Sequence, residues 1–397
     1  MLDATKLGLY FHVPFCRSRC NYCDFNTYAR MDSWIPAYEK ALVDEIGWGA
    51  SLLSPQMKIR SLYFGGGTPT LLPPDAVIRI MQAITQHYPL GDDLEVTFEA
   101  NPGGLSLEYM RALRAAGVNR LSLGMQSAHD SELLLLGRRH SLTDVKRSIQ
   151  LAGQAGIVNL SLDLMFALPG QQMRAFQEAL KQAIALGVQH LSLYSLTLEE
   201  HSPLANRVAR GELPAPDPDM SADMYAWAME KLSANGFGQY EISNWAVDDK
   251  SRCQHNLIYW HNDFYLGFGA GAHSHFIGRR WANTLHIPKY VANMAKAPKL
   301  TTEYSAAAQE KFSLSQRDMI QETLIMGLRL VNEGINSDEF TKVFGSSLGE
   351  LYPQDLEWLF SNGLLEKLET KEGRVYRLTP RAIPLGNQVF LRFIDSS

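Results

Sequence analysis

Six short runs of β-branched and aromatic residues, each followed by a longer amphipathic stretch, set the strongest limit on how this chain can fold. The runs are LGLYFHVPF from Leu7, IRSLYFGG from Ile59, LEVTFEA from Leu94, NRLSLGMQ from Asn119, NLSLDLMFALPG from Asn159 and HLSLYSLTLE from His190. Each reads as a strand. Between them, AVIRIMQAITQHY, EYMRALRAAG, DVKRSIQLAGQAG and MRAFQEALKQAIALG space apolar residues by three and four, as helices do. Successive strand-helix units demand parallel strands with right-handed crossovers, and a repeat without reversal favours a curved sheet over a doubly wound one. The expected fold is α/β, a (β/α)6 partial TIM barrel.

A parallel barrel collects the residues at the carboxyl ends of its strands at one mouth, where active sites form. Here those residues are Cys16, Cys20 and Cys23 after the first strand and Gly65, Gly66, Gly67, Thr68 and Pro69 after the second. Glu99, Asn101 and Pro102 follow the third, Gln126 the fourth, Asp163 belongs to the fifth and Tyr194 to the sixth. Together they predict one cavity lined with hydrogen-bonding groups. Singly they say less. GGGTPT makes a tight turn or lets backbone approach a ligand. Glu99 and Asp163 could cap helices, and Arg138, in LGRRH, could belong to a solvated basic face.

The segment CRSRCNYCDF, residues 16–25, holds three of the four cysteines. No apolar run approaches the ~18 residues of a membrane span, and the first residues have neither signal-peptide nor transit-peptide character. Cytoplasmic residence is expected, and in a reducing compartment such a triplet binds metal more often than it forms disulfides. The net charge of -5, from 37 basic and 42 acidic residues, disfavours nucleic acid and anionic lipid as partners. Two metal habits compete. A tetrahedral zinc site would need a fourth ligand, His12 or Cys253, whereas a four-iron, four-sulfur cluster can leave one iron open to a small ligand bearing an amine and a carboxylate.

CxxxCxxC after a YxHxPF strand, followed in order by GGGTP, ExNP, GMQS, LGRRH and DLMxxLPGQ, resembles the radical S-adenosylmethionine (SAM) superfamily, and within it the coproporphyrinogen-oxidase-like branch. The resemblance covers roughly the first 275 residues. It implies that Cys16, Cys20 and Cys23 hold a [4Fe-4S] cluster whose fourth iron is filled by SAM. It also implies that Tyr10, Gly66, Gly67, Thr68, Glu99, Gln126, Arg138 and Asp163 contact SAM. The branch's oxygen-independent coproporphyrinogen III oxidases carry a further cysteine, in CxxxCxxCxC, where this chain has Phe25, and a longer segment before the strand, where this chain has nine residues before Tyr10.

HNLIYW, residues 255–260, resembles the HNxxYW signature of heme-carrying members of the same branch. That likeness implies heme contacts from His255, Asn256, Tyr259 and Trp260. An imidazole can ligate heme iron and the aromatic rings offer apolar faces, although a core segment with a hydrogen-bonded histidine would look the same. His273 and His275, in GAHSH, are nearby alternatives. Two functions are thus implied: a carrier passing heme to an acceptor such as a respiratory hemoprotein, or a radical SAM enzyme decarboxylating coproporphyrinogen III. Phe25 and HNLIYW favour the carrier.

The expected organisation is a barrel domain over 1–285 that includes the heme-associated segment, a connection over 286–314, and a C-terminal α+β domain over 315–397. DMIQETLIMGLRL, SDEFTKVFG and QDLEWLFSNG read as three helices and LLEKLETKEGRVYRLT as a hairpin, a winged-helix-like order. From Glu310 onward, 10 basic against 13 acidic residues make a poor phosphate-reading surface, so a lid or docking role is expected.

Overall fold

The computed structural model describes residues 6–296, 303–371 and 373–395. Six parallel strands lie side by side in chain order: β1 (Lys6–Val13), β2 (Lys58–Gly66), β3 (Leu90–Ala100), β4 (Arg120–Gln126), β5 (Asn159–Phe166) and β6 (His190–Ser195). The helices Pro74–His87, Leu107–Ala115, Leu142–Gln154 and Met173–Ala185 fall between them where the three- and four-residue spacing lies.

Strand alternation divides each strand's residues between two environments. Phe11, Phe64 and Phe98 stack across β1, β2 and β3 with neighbouring ring centroids 4.6 Å apart, fully buried in the main core. Each such side chain contributes about 1.5–3 kcal/mol of burial. The opposite face carries Tyr63, Glu99, Ser122, Asp163 and Ser192, which line an internal cavity. The polar residues interrupting the apolar runs are therefore those that build the site.

The sheet extends beyond the six strands. Beyond β6 lie β7 (Gly238–Glu241) and β8 (Asn244–Ala246); β8 pairs antiparallel with β6, and β7 pairs antiparallel with β8 at the edge. On the other edge β9 (Phe264–Phe268) pairs parallel with β1, followed by antiparallel β10 (His273–Phe276), β11 (Arg279–Asn283) and β12 (Ala308–Ser313), twelve strands in all. Part of the stretch read as a connection, 286–314, is thus built into the sheet. β12, AQEKFS, is an edge strand whose residues are nearly all exposed, so it has no apolar alternation to betray it.

In the C-terminal part, helices Gln316–Gly327, Ser337–Phe344 and Pro353–Ser361 precede the hairpin Leu365–Thr370 and Gly373–Leu378, and a final helix, Gly386–Asp395, closes the chain. Buried residues of this part, among them Ile320, Leu324 and Phe340, belong to the same core cluster as those of the barrel. Glu322 and Glu333 reach back to Arg280 at 2.6 Å and Arg252 at 3.0 Å. No described helix is long and apolar enough to cross a membrane.

Candidate functional site

The cysteine loop is held against the ends of β1 and β2 by backbone. Gly67 N donates to Val13 O at 2.9 Å and Thr68 N to Phe15 O at 2.8 Å. A Cβ on Gly67 would lie 2.6 Å from Phe15 O, and one on Gly66, at φ +109, 2.5 Å from the His12 ring. These glycines are needed for close packing of the loop. The side chains beyond them form one chain of contacts. Cys16 Sγ lies 3.8 Å from Thr68 Oγ1, and Asn101 Nδ2 donates to that oxygen at 2.9 Å. Arg138 donates to Asn101 Oδ1 at 2.6 Å, to Gly124 O at 2.9 Å and to Cys20 Sγ at 3.5 Å.

All three loop cysteines are free thiols lining the same cavity of about 350 Å³. Burial, with smaller contributions from the neighbouring thiols, raises the pKa of Cys16 and Cys23. Thiols such as Cys16 and Cys23, whose ionisation is penalised, fit a cationic inorganic group that would take their protons' place. Of the two proposed fourth zinc ligands, Cys253 also lines this cavity, but both are engaged by other groups. His12 is hydrogen-bonded at both ring nitrogens, to Tyr10 Oη and Asn26 O, each at 2.9 Å. Cys253 is buried 3.6 Å from Glu95 Oε1, with its thiol pushed up to about 12, burial being the main cause.

Gly66, Gly67, Thr68, Glu99, Gln126, Arg138 and Asp163 share this cavity with the cysteines, whereas Tyr10 lines a neighbouring one. Glu99 accepts from Tyr63 Oη at 2.8 Å and Gly66 N at 3.1 Å. Burial, and secondarily the Asp163 carboxylate, pushes its pKa up to about 7. Asp163 is also raised by burial, although Ser122 donates to both of its oxygens at 3.1 Å. Gln126 ends β4 at φ +62, a left-handed conformation uncommon for a residue with a side chain. Neither Glu99 nor Asp163 caps a helix, and Arg138 is folded inward.

The neighbouring cavity, of about 690 Å³, lies between the cysteine loop, β9–β11 and the C-terminal part. Arg19, Asp24, Phe25 and Thr27 line both cavities, so the cysteine loop is their common wall. The four residues of the 255–260 segment separate here. Tyr259 and Trp260 line the larger cavity, Asn256 lines the smaller one, and His255 lines neither. His255 is buried, with Nδ1 2.8 Å from Ser61 Oγ and Nε2 2.8 Å from Tyr259 Oη, and burial lowers its pKa to about 3. The helix Gln254–Trp260 is held by Glu95, which accepts from Gln254 N at 2.9 Å and His255 N at 3.2 Å. Sequence reasoning missed Glu95 because its partner lies more than 150 residues away.

A partial barrel with three free cysteines at its mouth, two of which, Cys16 and Cys20, are joined through Thr68, Asn101 and Arg138, is the arrangement of the radical SAM class of protein. The family model for the Radical SAM superfamily matches residues 10–183, and that for the HemN C-terminal domain matches residues 314–385. The chain is 36% identical to the heme chaperone HemW of Bacillus subtilis (strain 168), over 97% of this chain and 98% of that one. It is also 36% identical to the mouse mitochondrial radical S-adenosyl methionine domain-containing protein 1, over 91% of this chain and 82% of that one. Among solved structures, coproporphyrinogen III oxidase (HemN) from Escherichia coli superposes with a TM-score of 0.83 over 99% of this chain and 91% of that one, at 22% identity, which speaks to the fold alone. This chain belongs to the HemW family of the radical SAM superfamily.

Proposed function

We propose that this protein is a heme chaperone, binding heme and passing it to an acceptor hemoprotein such as a respiratory one in the cytoplasm. In this reading Cys16, Cys20 and Cys23 hold a [4Fe-4S] cluster, and SAM occupies the smaller cavity beside Gly66, Gly67, Thr68, Glu99, Gln126, Arg138 and Asp163. When bound, that pair supplies one-electron redox chemistry. The residues present suit it: Arg138 neutralises charge on the thiolates, and Glu99 and Asp163 offer carboxylates to a sulfonium or an amine.

The observation that carries the reading is the second, larger cavity that shares a wall with the first. A volume of about 690 Å³ falls within the ~300–1,000 Å³ range of ligand sites, and Tyr259, Trp260 and Tyr265 give it aromatic surface. Burial of a macrocycle there at ~25 cal/mol per Å² would supply much of the affinity. The name of the HemW relatives, heme chaperone, agrees with such a cavity.

The test is anaerobic reconstitution followed by incubation with heme, or with coproporphyrinogen III, SAM and a reductant. Heme should stay with the protein through gel filtration and pass to an apo-hemoprotein, without conversion of propionates to vinyl groups. Protein that retains no heme would sink the proposal, and vinyl formation would return it to the oxidase class.

A further inference from the structure

We propose that heme seats in the larger cavity with His273 as the axial ligand to its iron, and that His255 is a positioning residue outside the site. The inference rests on the heme-carrier reading and names the group that would meet the iron.

The choice follows from which imidazoles are free to ligate. Iron needs a ring nitrogen with an uncommitted lone pair facing the ligand's space. His255 has both nitrogens engaged, by Ser61 and Tyr259, and lines neither cavity. His12 lines the larger cavity but is engaged at both nitrogens, by Tyr10 and Asn26. His275 is buried and does not line the cavity, consistent with its place two residues along a strand that the cavity meets only at its start. His273 is exposed, lines the cavity and makes no side-chain hydrogen bond among the described residues.

The wall carrying His273 is braced. Asn26 Nδ2 donates to Ala270 O and Leu285 O, both at 3.0 Å, tying the cysteine loop to the two segments that flank β10 and β11. Ala270 N donates to Tyr38 Oη at 2.9 Å and Gly269 N to Glu45 Oε2 at 2.8 Å. A ligand on such a frame keeps its direction before heme arrives. Arg19 also lines the cavity, and a guanidinium group suits a heme propionate. His255 would act through Tyr259, whose hydroxyl it holds while that ring borders the cavity.

The experiment titrates ferric heme into the full chain, as wild type, His273→Ala and His255→Ala, reading the Soret maximum and the ferric electron paramagnetic resonance spectrum. His273→Ala should lose the wild-type signature and hold heme on the order of tenfold more weakly. Added imidazole should restore the signature by filling the space left. His255→Ala should keep the signature with weaker retention. Because His273 is exposed at a strand end, its alanine variant should fold, and circular dichroism checks this. A His273→Ala spectrum identical to wild type would overturn this assignment while leaving the heme-carrier reading intact. Wild-type protein that binds no heme at all would overturn both.

Discussion

Arg138 donates to the sulfur of Cys20 at 3.5 Å while holding Asn101 Oδ1 at 2.6 Å, so one guanidinium joins a cysteine of the 16–25 loop to the end of a distant strand. Through Asn101 and Thr68 the same chain of contacts reaches Cys16. A hydrogen bond to a charged group is worth roughly 1.5–3 kcal/mol, and its loss here would fall on thiolates rather than thiols. Arg138→Met should therefore shift the reduction potential of a reconstituted cluster to more negative values, because a donor and a positive charge that favour the reduced form are gone. Redox titration followed by electron paramagnetic resonance reads this, and an unchanged potential would remove Arg138 from the cluster's surroundings.

Glu99 gives the smaller cavity a pH dependence near neutrality. Its carboxyl titrates at about 7 in the fold, mainly through burial, against ~4.3 in an unfolded chain. The folded chain thus binds this proton more tightly, and Glu99's stabilising contribution, full below ~4.3, is lost as pH rises through about 7. Binding of cationic SAM should run the other way, tightening as the carboxylate ionises between pH 6 and 8. Calorimetric titration across that range should show the trend in wild type and a flatter profile in Glu99→Gln. Equal slopes in the two proteins would contradict it.

Most of what the sequence disclosed lay where residue type and local period agree. β1 to β6 and their helices were legible because apolar runs and three- and four-residue spacing recur over 235 residues, and the mouth residues because barrel topology puts strand ends together. What escaped depends on distant partners. β12 is too exposed to carry a pattern, and the helix Gly386–Asp395 begins on a glycine, a poor helix former. Tyr10 alternates onto the same face as residues of the smaller cavity, yet its ring stacks toward His255, 6.1 Å away, and borders the larger one. No spacing rule separates Asn256 from Tyr259 between two cavities, since that depends on the tilt of a seven-residue helix held by Glu95.

Cys253 should behave as a core residue. It is buried and its thiol is pushed up to about 12, so at pH 8 almost none is thiolate. In native protein it should resist iodoacetamide while the loop cysteines of cluster-free protein react, as peptide mass analysis would show. Cys253→Ala should assemble about as much iron as wild type, whereas Cys16→Ala should assemble almost none. Iron loss in the Cys253 variant would overturn the three-cysteine assignment.

His255→Ala should cost stability as well as heme retention. The imidazole is buried between Ser61 and Tyr259 and stacks on Tyr63 at 5.0 Å, so its removal leaves two hydroxyls unpaired beside a void. Unpaired buried groups and cavities of this kind together cost roughly 2–4 kcal/mol. Because the ring titrates at about 3 in the fold, below its unfolded value of ~6.5, its stabilising contribution is present above ~6.5 and is lost as pH falls toward 3. Urea midpoints at several pH values should show the wild type losing more stability than the variant over that interval. A variant as stable as wild type at pH 7 would mean the segment is not packed as described.

Phe25 is 61% exposed and lies on the wall common to both cavities, at the position where the related oxidases carry a fourth cysteine. So exposed a ring contributes little to the core, and Phe25→Ala and Phe25→Cys should unfold within about 0.5 kcal/mol of wild type. Their effect should instead fall on what the wall separates. Opening it in Phe25→Ala should let SAM in the smaller cavity perturb the absorption spectrum of heme in the larger one, a response that should be weaker in wild type. Phe25→Cys should still not convert coproporphyrinogen III, because a single thiol leaves the rest of the larger cavity as it is. Difference spectra recorded with and without SAM decide the first point and product chromatography the second. Identical difference spectra in wild type and Phe25→Ala would show that Phe25 does not insulate one cavity from the other, and turnover by Phe25→Cys would show that this one position separates the carrier from the oxidases.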